Sequence, residues 1–274
     1  MGEYHNTQLG KETQYQNQYD PTLLFPIERA SARSGEVPKA FEFFGNDAWT
    51  AYELSWLNLS GKPVVAVARF TFPCNSKYVI ESKSFKLYLN SLIQSKFASK
   101  FDVIDRLASD LSRCCGEAIT IDIYDLKEYE EAFKIIEPAG TCIDSLDIEV
   151  TQYEPSKSLI KFDSTTQISE LLYSHLLKTN CPVTNQPDWA SVYIDYSGPK
   201  ISMDSLLKYI ISYRLHQDFH EVCVEKIFYD LYTVVNPSKL NVFAKYTRRG
   251  GLDISPYRST ELEPERRKMR QVRQ

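Results

Sequence analysis

No stretch of this 274-residue sequence approaches the ~20 consecutive apolar residues of a membrane helix, and its N-terminus lacks the apolar block of a secretory signal. A myristoylation signal is also missing. Met1-Gly2 is present, but Asn6 stands where Ser or Thr is wanted. The six cysteines (Cys74, Cys114, Cys115, Cys142, Cys181 and Cys223) form no C-x-x-C, and two are adjacent. That excludes a regular disulfide framework and suits a reduced, cytoplasmic chain. No G-x-G-x-x-G occurs, so any dinucleotide must be held without a Rossmann turn. Positive charge is short as well. The net charge is −4, yet Arg266 to Gln274 carries five cations and no acid, which leaves −9 on the rest. Such a body does not suit a nucleic-acid backbone, and the basic end reads as a solvated, frayed terminus.

What is present is ample core material, 43% apolar and 13% aromatic, in a chain long enough for one large domain or two ordinary ones. Residues 1–44 show little periodicity and read as an irregular arm. Trp49 to Asn58 and Pro63 to Phe72 are strand-like and flank a Ser60-Gly61 turn, which predicts a hairpin. Ser82 to Phe97 and Phe101 to Cys115 carry apolar residues at helical spacing, with Gly116 as a stop. Ala118 to Tyr124 and Leu146 to Tyr153 read as strands. The second half repeats the order: strands Ile168 to Lys178 and Ala190 to Tyr196, helices Met203 to His216 and Phe219 to Val235, strands Leu240 to Thr247 and Leu252 to Ile254. Two β-β-α-α-β-β modules, 45–155 and 156–258, are therefore expected after the arm and before a basic tail at 259–274. The class is α+β, with antiparallel sheets and paired helices on one face.

Four motifs carry candidate chemistry, each with a plainer reading beside it. Thr179 to Trp189 holds Cys181 and Asp188 in a Pro-stiffened loop, fit for a thiol nucleophile and a proton donor or acceptor; the plainer reading is a buried thiol and a turn aspartate. In Phe219-His220-Glu221 the carboxylate suits recognition of a planar N–H edge and His220 is a candidate catalytic residue near the reacting group, but Asp218 and Glu221 also have the spacing of a capping box. Glu81 to Lys86 offers hydroxyls, two lysines and helix-start N–H groups as a phosphate cradle, against an ordinary polar first turn. Arg248 and Arg249, with Gly250 and Gly251, suit dinucleotide phosphates, against a charged strand end. His175 is read as a satisfied sheet histidine. A zinc site at Cys181, His220 and Cys223 is disfavoured because Cys223 shares an apolar helical face with Ile227 and Leu231.

With Glu-Ser-Lys-Ser-Phe-Lys-Leu-Tyr (81–88), Cys-Pro-Val-Thr-Asn-Gln-Pro-Asp (181–188), Phe-His-Glu (219–221) and Tyr-Thr-Arg-Arg-Gly-Gly (246–251) in this order, the sequence resembles the 7-cyano-7-deazaguanine reductases, NADPH-dependent nitrile reductases of queuosine biosynthesis, in their two-module form. The resemblance spans roughly Phe41 to Arg258. It implies tandem modules of the tunnelling fold and a Cys181 thioimide formed while Asp188 protonates the nitrile nitrogen. It further implies a substrate edge held by Glu81 and Glu221, with Ile80, Ser82 and His220 beside it. NADPH would be held at Ser82, Lys83, Arg249 and Gly250, with no metal. It also implies a site at a module interface, a homodimer, and neither nucleic acid nor membrane as a direct partner. Two rivals are a zinc-using cyclohydrolase-like enzyme acting on a purine or pterin, and a non-catalytic RNA-binding protein working through the basic tail.

Overall fold

The structure, a computed structural model, describes residues 15–33, 35, 37–136, 138–262 and 269–274. Its frame is an eight-stranded sheet. The predicted hairpin is there, β2 (Phe44–Leu57) with β3 (Pro63–Pro73), turned where Asn58 Oδ1 accepts the Lys62 N–H at 2.9 Å and Gly61 takes φ +83°, a conformation that suits glycine. The long second-half strands are β8 (Phe162–Asn180), β9 (Pro187–Ile201), β10 (Lys239–Tyr246) and β11 (Leu252–Ser259). With β5 (Thr120–Tyr124) and the two-residue β7 (Thr141–Cys142), the order across the sheet is β5-β3-β2-β11-β10-β9-β8-β7. Pairing is antiparallel except between β7 and β8. Because β11 pairs with β2, from Leu252 opposite Ala51 to Ser259 opposite Phe44, the two halves of the chain share one sheet.

Four long helices cover one face of it: α2 (Ser82–Ser91), α3 (Lys100–Cys115), α5 (Met203–Ser212) and α6 (His220–Val235). The local signals are strong. Ser99 and Asp102 form a reciprocal capping box at the start of α3, and Gly116 closes it in the left-handed conformation. One core gathers Trp49, Phe70 and Phe85 between the first hairpin and α2, and the other gathers Val192, Tyr209 and Phe228 under α5 and α6. Helix α6 belongs to both, since Val222 packs in the first core and Val224, Ile227 and Phe228 in the second. The first turn of α6 therefore stands at the seam between the halves.

Several expectations are corrected. Leu146 to Tyr153 forms no strand, although Leu146 and Ile148 still pack against the second core. The first half instead adds α4 (Leu126–Ala132) on the opposite face, where Tyr129 and Phe133 meet Val67. Helix α2 stops at Ser91 rather than Phe97 because the following backbone is captured by β2: Phe97 N–H donates to Leu57 O at 2.9 Å. Helix α5 likewise ends at Ser212, and Tyr213–Leu215 is a 3-10 turn.

The described part of the arm is not irregular. Its β1 (Pro26–Glu28) pairs with β4 (Tyr78–Ile80), and α1 (Arg29–Ala32) buries Arg29 against Asp47 at 2.7 Å. The end of the chain is not a frayed terminus either. Strand β12 (Met269–Arg270) pairs with β6 (Lys134–Ile135), the Arg270 guanidinium lies over Tyr52 and Tyr129, and Arg273 donates to His175 O at 3.0 Å. Carbonyl and aromatic acceptors hold these cations where the sequence suggested solvent. Arg266, Arg267 and Lys268 lie outside the described residues.

Candidate active site

Strand β8 ends at Asn180 and β9 begins at Pro187, so Cys181 opens the hairpin loop and Asp188 is a strand residue rather than a loop one, opposite Thr179. The loop is closed by its backbone. Cys181 N–H donates to Gln186 O at 2.9 Å, Asn185 N–H donates to Cys181 O at 3.0 Å, and Asn185 takes φ +56°. Cys181 is 4% exposed and Asp188 7%, so both are reached only through the pocket they line.

That pocket has about 390 Å³ of empty space, open solvent at its mouth included. The first half supplies Trp49, Val79, Ile80 and Ser82. The second supplies Cys181, Pro182, Asp188, Asp218, Phe219, His220, Glu221, Arg249 and Ile254. A single chain thus brings both halves to the site.

Asp188 is gripped from two sides, Oδ2 by His220 Nε2 at 3.2 Å and Oδ1 by Arg249 at 3.0 Å. Burial pushes its pKa up, but the hydrogen bond and charge of His220, with Arg249 and Lys86, outweigh burial and hold the carboxyl below its ordinary value. The His220 ring stacks on Tyr246 with centroids 3.9 Å apart, which fixes its plane.

Glu221 makes no capping box. The N-cap of α6 is Phe219 without a side-chain cap, and Asp218 Oδ1 accepts the Phe219 N–H at 2.8 Å. Glu221 Oε1 instead accepts the Trp49 indole N–H at 3.2 Å inside the pocket. Burial, and then the nearby Asp47 charge, raise its pKa. An acceptor-only carboxylate sunk in a pocket beside an uncapped helix start is poised for further N–H donors.

The phosphate cradle expected at the start of α2 is not available in its main-chain form. Glu81 is the N-cap, and its two oxygens take the N–H groups of Lys83 and Ser84 at 2.6 and 2.7 Å. Glu81 is 1% exposed, and burial raises its pKa. Of the residues expected from the sequence, Ile80, Ser82, Cys181, Asp188, His220, Glu221 and Arg249 line one pocket, while Glu81, Lys83 and Gly250 are outside its lining.

Two residues escaped the sequence reading. Trp49 was counted only as a strand residue. Lys86 was read with Lys83 only as part of the phosphate cradle and was not carried to the cofactor positions, though its place one helical turn after Lys83 was an available signal. Burial first, then the Arg249 charge, lower the Lys86 pKa to about 8 against the pull of Glu81, Asp188 and Cys181. Gly250, at φ +60°, leaves room for this lysine: a Cβ there would stand 3.3 Å from Lys86 Cδ.

The ligands of a zinc-using rival do not converge. Among the described residues, the one group of three His, Cys, Asp or Glu side chains with ligand atoms mutually within 4.8 Å is Cys142, Asp144 and His175, which does not include Cys181, His220 or Cys223.

Known proteins match this sequence. Residues 15–123 fit the family described as nitrile reductase, 7-cyano-7-deazaguanine-reductase N-term, and residues 187–265 the family described as QueF-like protein. An NADPH-dependent 7-cyano-7-deazaguanine reductase of Chromobacterium violaceum is 51% identical over 253 residues, 92% of this chain and 90% of that protein. One of Albidiferax ferrireducens is 48% identical over 289 aligned positions and covers both chains fully. The apo archaeosine synthase QueF-Like crystal structure is 20% identical, covers 38% of this chain and 100% of that one, and has a TM-score of 0.31, a likeness that carries no argument. A shared α+β sheet with a thiol, a paired carboxylate and a buried glutamate in one pocket defines the class as a small-molecule enzyme. The chain belongs to the NADPH-dependent 7-cyano-7-deazaguanine reductase family.

Proposed function

We propose that this chain reduces the nitrile of 7-cyano-7-deazaguanine to an aminomethyl group, consuming two NADPH, through a thioimide on Cys181. The observation that carries the reading is the pocket itself, in which Cys181, the doubly held Asp188 and the buried Glu221 share one wall system drawn from both halves of the chain.

Glu221, with Trp49 fixing one of its oxygens, accepts N–H donors of the purine-like edge, and Ile80 and Phe219 supply apolar walls for its ring. Glu81 is committed to capping α2, so its share in the base edge uses its remaining lone pairs. Asp188 enters the reaction ionised. The proton it delivers is therefore one it first takes from the Cys181 thiol. The thiolate adds to the nitrile carbon: a C–S bond forms, one C–N π bond breaks, its electron pair moves to nitrogen, and Asp188 returns the proton there. His220 and Arg249 keep the carboxyl oriented, and Arg249 compensates its charge when it is ionised.

Ser82, Lys83, Arg249 and Gly250, joined by Lys86, fit the cofactor as a cationic rim with a glycine that admits a close neighbour. Bound NADPH supplies a hydride to the substrate carbon in each of two reductions. Between them Cys181 leaves as thiolate, and the buried pocket keeps water from the imine. The assembly we propose is a cytoplasmic homodimer, on the family resemblance; the pocket is walled by one chain and does not need a second copy.

The test combines two measurements. Protein, NADPH and 7-cyano-7-deazaguanine should oxidise two NADPH per amine formed, and intact-mass measurement with nitrile alone should show one adduct that disappears in Cys181→Ala. An adduct mapped to Cys223 or Cys142, or NADPH oxidation that survives Cys181→Ala, overturns the reading.

A further inference from the structure

At the edge of the sheet, where β7 pairs with β8, three metal-ligating side chains meet that the proposed reaction does not use. Cys142 lies in β7 opposite Tyr173 of β8, on the same face of the sheet, and Asp144 follows two residues on, in the turn after the strand. His175 stands two residues after Tyr173 on that same face, with the two rings 5.3 Å apart. It sits in a bulge. Between Ser174 and Leu177 the register slips, so His175 and Leu176 oppose the single residue Ser191 of β9, and a bulge of this kind re-aims a side chain. The ligand atoms of Cys142, Asp144 and His175 come within 4.8 Å of one another.

The surroundings look after the ligands rather than neutralise them. Asp144 Oδ1 accepts the Ser174 hydroxyl at 2.6 Å and Oδ2 accepts the His175 N–H at 3.0 Å, which fixes the carboxylate, yet no Lys or Arg among the described residues pairs with it. The Ser191 hydroxyl donates to Gln271 Oε1 at 2.9 Å, so its lone pair is what meets His175 Nδ1 at 2.7 Å. That places the ring proton on Nδ1 and leaves the Nε2 lone pair for a ligand, the orientation that outer partners impose on metal-binding histidines. Cys142 is exposed, so an ion has a way in.

We propose that Cys142, Asp144 and His175 bind a divalent ion of the zinc class, with water in the fourth position. Thiolate, imidazole and carboxylate together select zinc over the hard oxygen-seeking cations. A tetrahedral zinc about 2.0–2.3 Å from its ligands holds them roughly 3.5 Å apart, which small side-chain rotations reach from the observed spacing. The ion clamps residues 141–144, whose strand β7 is only two residues long, onto β8. Through Ser191 and Gln271 it also bears on the docked C-terminal segment. This site is separate from the pocket of Cys181 and does not depend on the reaction proposed for it.

The experiment uses the full chain, stripped with chelator and titrated with cobalt(II) as a spectroscopic stand-in for zinc. One equivalent should bind with a thiolate-to-cobalt charge-transfer band, and the band should vanish in Cys142→Ser while persisting in Cys181→Ser. His175→Gln should weaken cobalt binding at least tenfold, and zinc should raise the melting temperature of the wild type but not of Cys142→Ser. Circular dichroism of the stripped variants establishes that they are folded. No charge-transfer band, a band lost in Cys181→Ser instead, or an equal zinc-induced rise in melting temperature in wild type and Cys142→Ser overturns the proposal.

Discussion

Asp188 Oδ2 and His220 Nε2 stand 3.2 Å apart across the seam between β9 and the first turn of α6, and Arg249 holds the other carboxylate oxygen at 3.0 Å. A carboxyl held in this way is an anion at neutral pH, its folded pKa lying below the ordinary value despite burial. The pairing contributes stability above the unfolded pKa, and that contribution is lost as the pH falls through the lower folded value.

Asp188→Asn keeps the shape but neither accepts nor returns a proton. It should bind the nitrile with near-normal affinity and form the Cys181 adduct ~10²–10⁴-fold more slowly, the usual weight of general acid–base catalysis. Stopped-flow adduct formation should also lose the wild type's acid limb. A wild-type rate in the variant would leave Asp188 as an anchor for His220 and Arg249.

Glu221→Gln separates binding from folding. The folded pKa is raised, so a penalty for the ionised form appears as the pH rises from the unfolded value through the folded one and persists above it. The amide oxygen can still accept the Trp49 N–H. Thermal melts near neutrality should therefore show equal or higher stability, with the gain gone in acid. Substrate affinity should fall by ~1.5–3 kcal/mol, the worth of a hydrogen bond to a charged group. Unchanged affinity with a lower melting temperature would return Glu221 to a helix-start role.

Lys86 loses its proton near pH 8, so its contribution to a cationic rim should fade there. The KM for NADPH is expected to rise as pH passes about 8. In Lys86→Gln it should be high and flat across the same range, with kcat less affected. A KM that climbs equally in both proteins would remove Lys86 from cofactor binding.

Arg258 is fully buried and joins the halves, with Asp47 at 2.7 Å and Glu225 at 2.8 Å. Removing one member of such a set strands the other charges, so Arg258→Met should cost ~3–5 kcal/mol in a denaturant titration. A loss below 1 kcal/mol would mean that the acids find other partners.

Much of the frame was legible because it is written locally. The strand-like run Pro63 to Phe72, helical spacing from Phe101 to Cys115 with its Gly116 stop, and the apolar run under Phe219 to Val235 each produced the expected element. Where prediction failed, a distant partner had intervened. Phe97 was captured by Leu57, Leu146 to Tyr153 packed without pairing as a strand, and Arg270 and Arg273 met rings and a carbonyl of Tyr52, Tyr129 and His175, far away in the chain. Such pairings leave no periodic trace in the segment that makes them.

The site divides along the same line. The sequence by itself determined which chemistry was on hand: a thiol and a carboxyl seven residues apart, a buried-type glutamate after a histidine, and arginines before two glycines, whose order carries the family. Only the tertiary structure decided what each group does with its hydrogen bonds. Glu81 and Glu221 both lie near helix starts, yet Glu81 spends its oxygens on the N–H groups of its own helix, whereas Glu221 turns to Trp49 of another strand and keeps acceptor capacity in the pocket. That difference arises because a side chain takes whichever donors the packed neighbours present, and those neighbours come together only when β2, β9 and α6 meet at one seam.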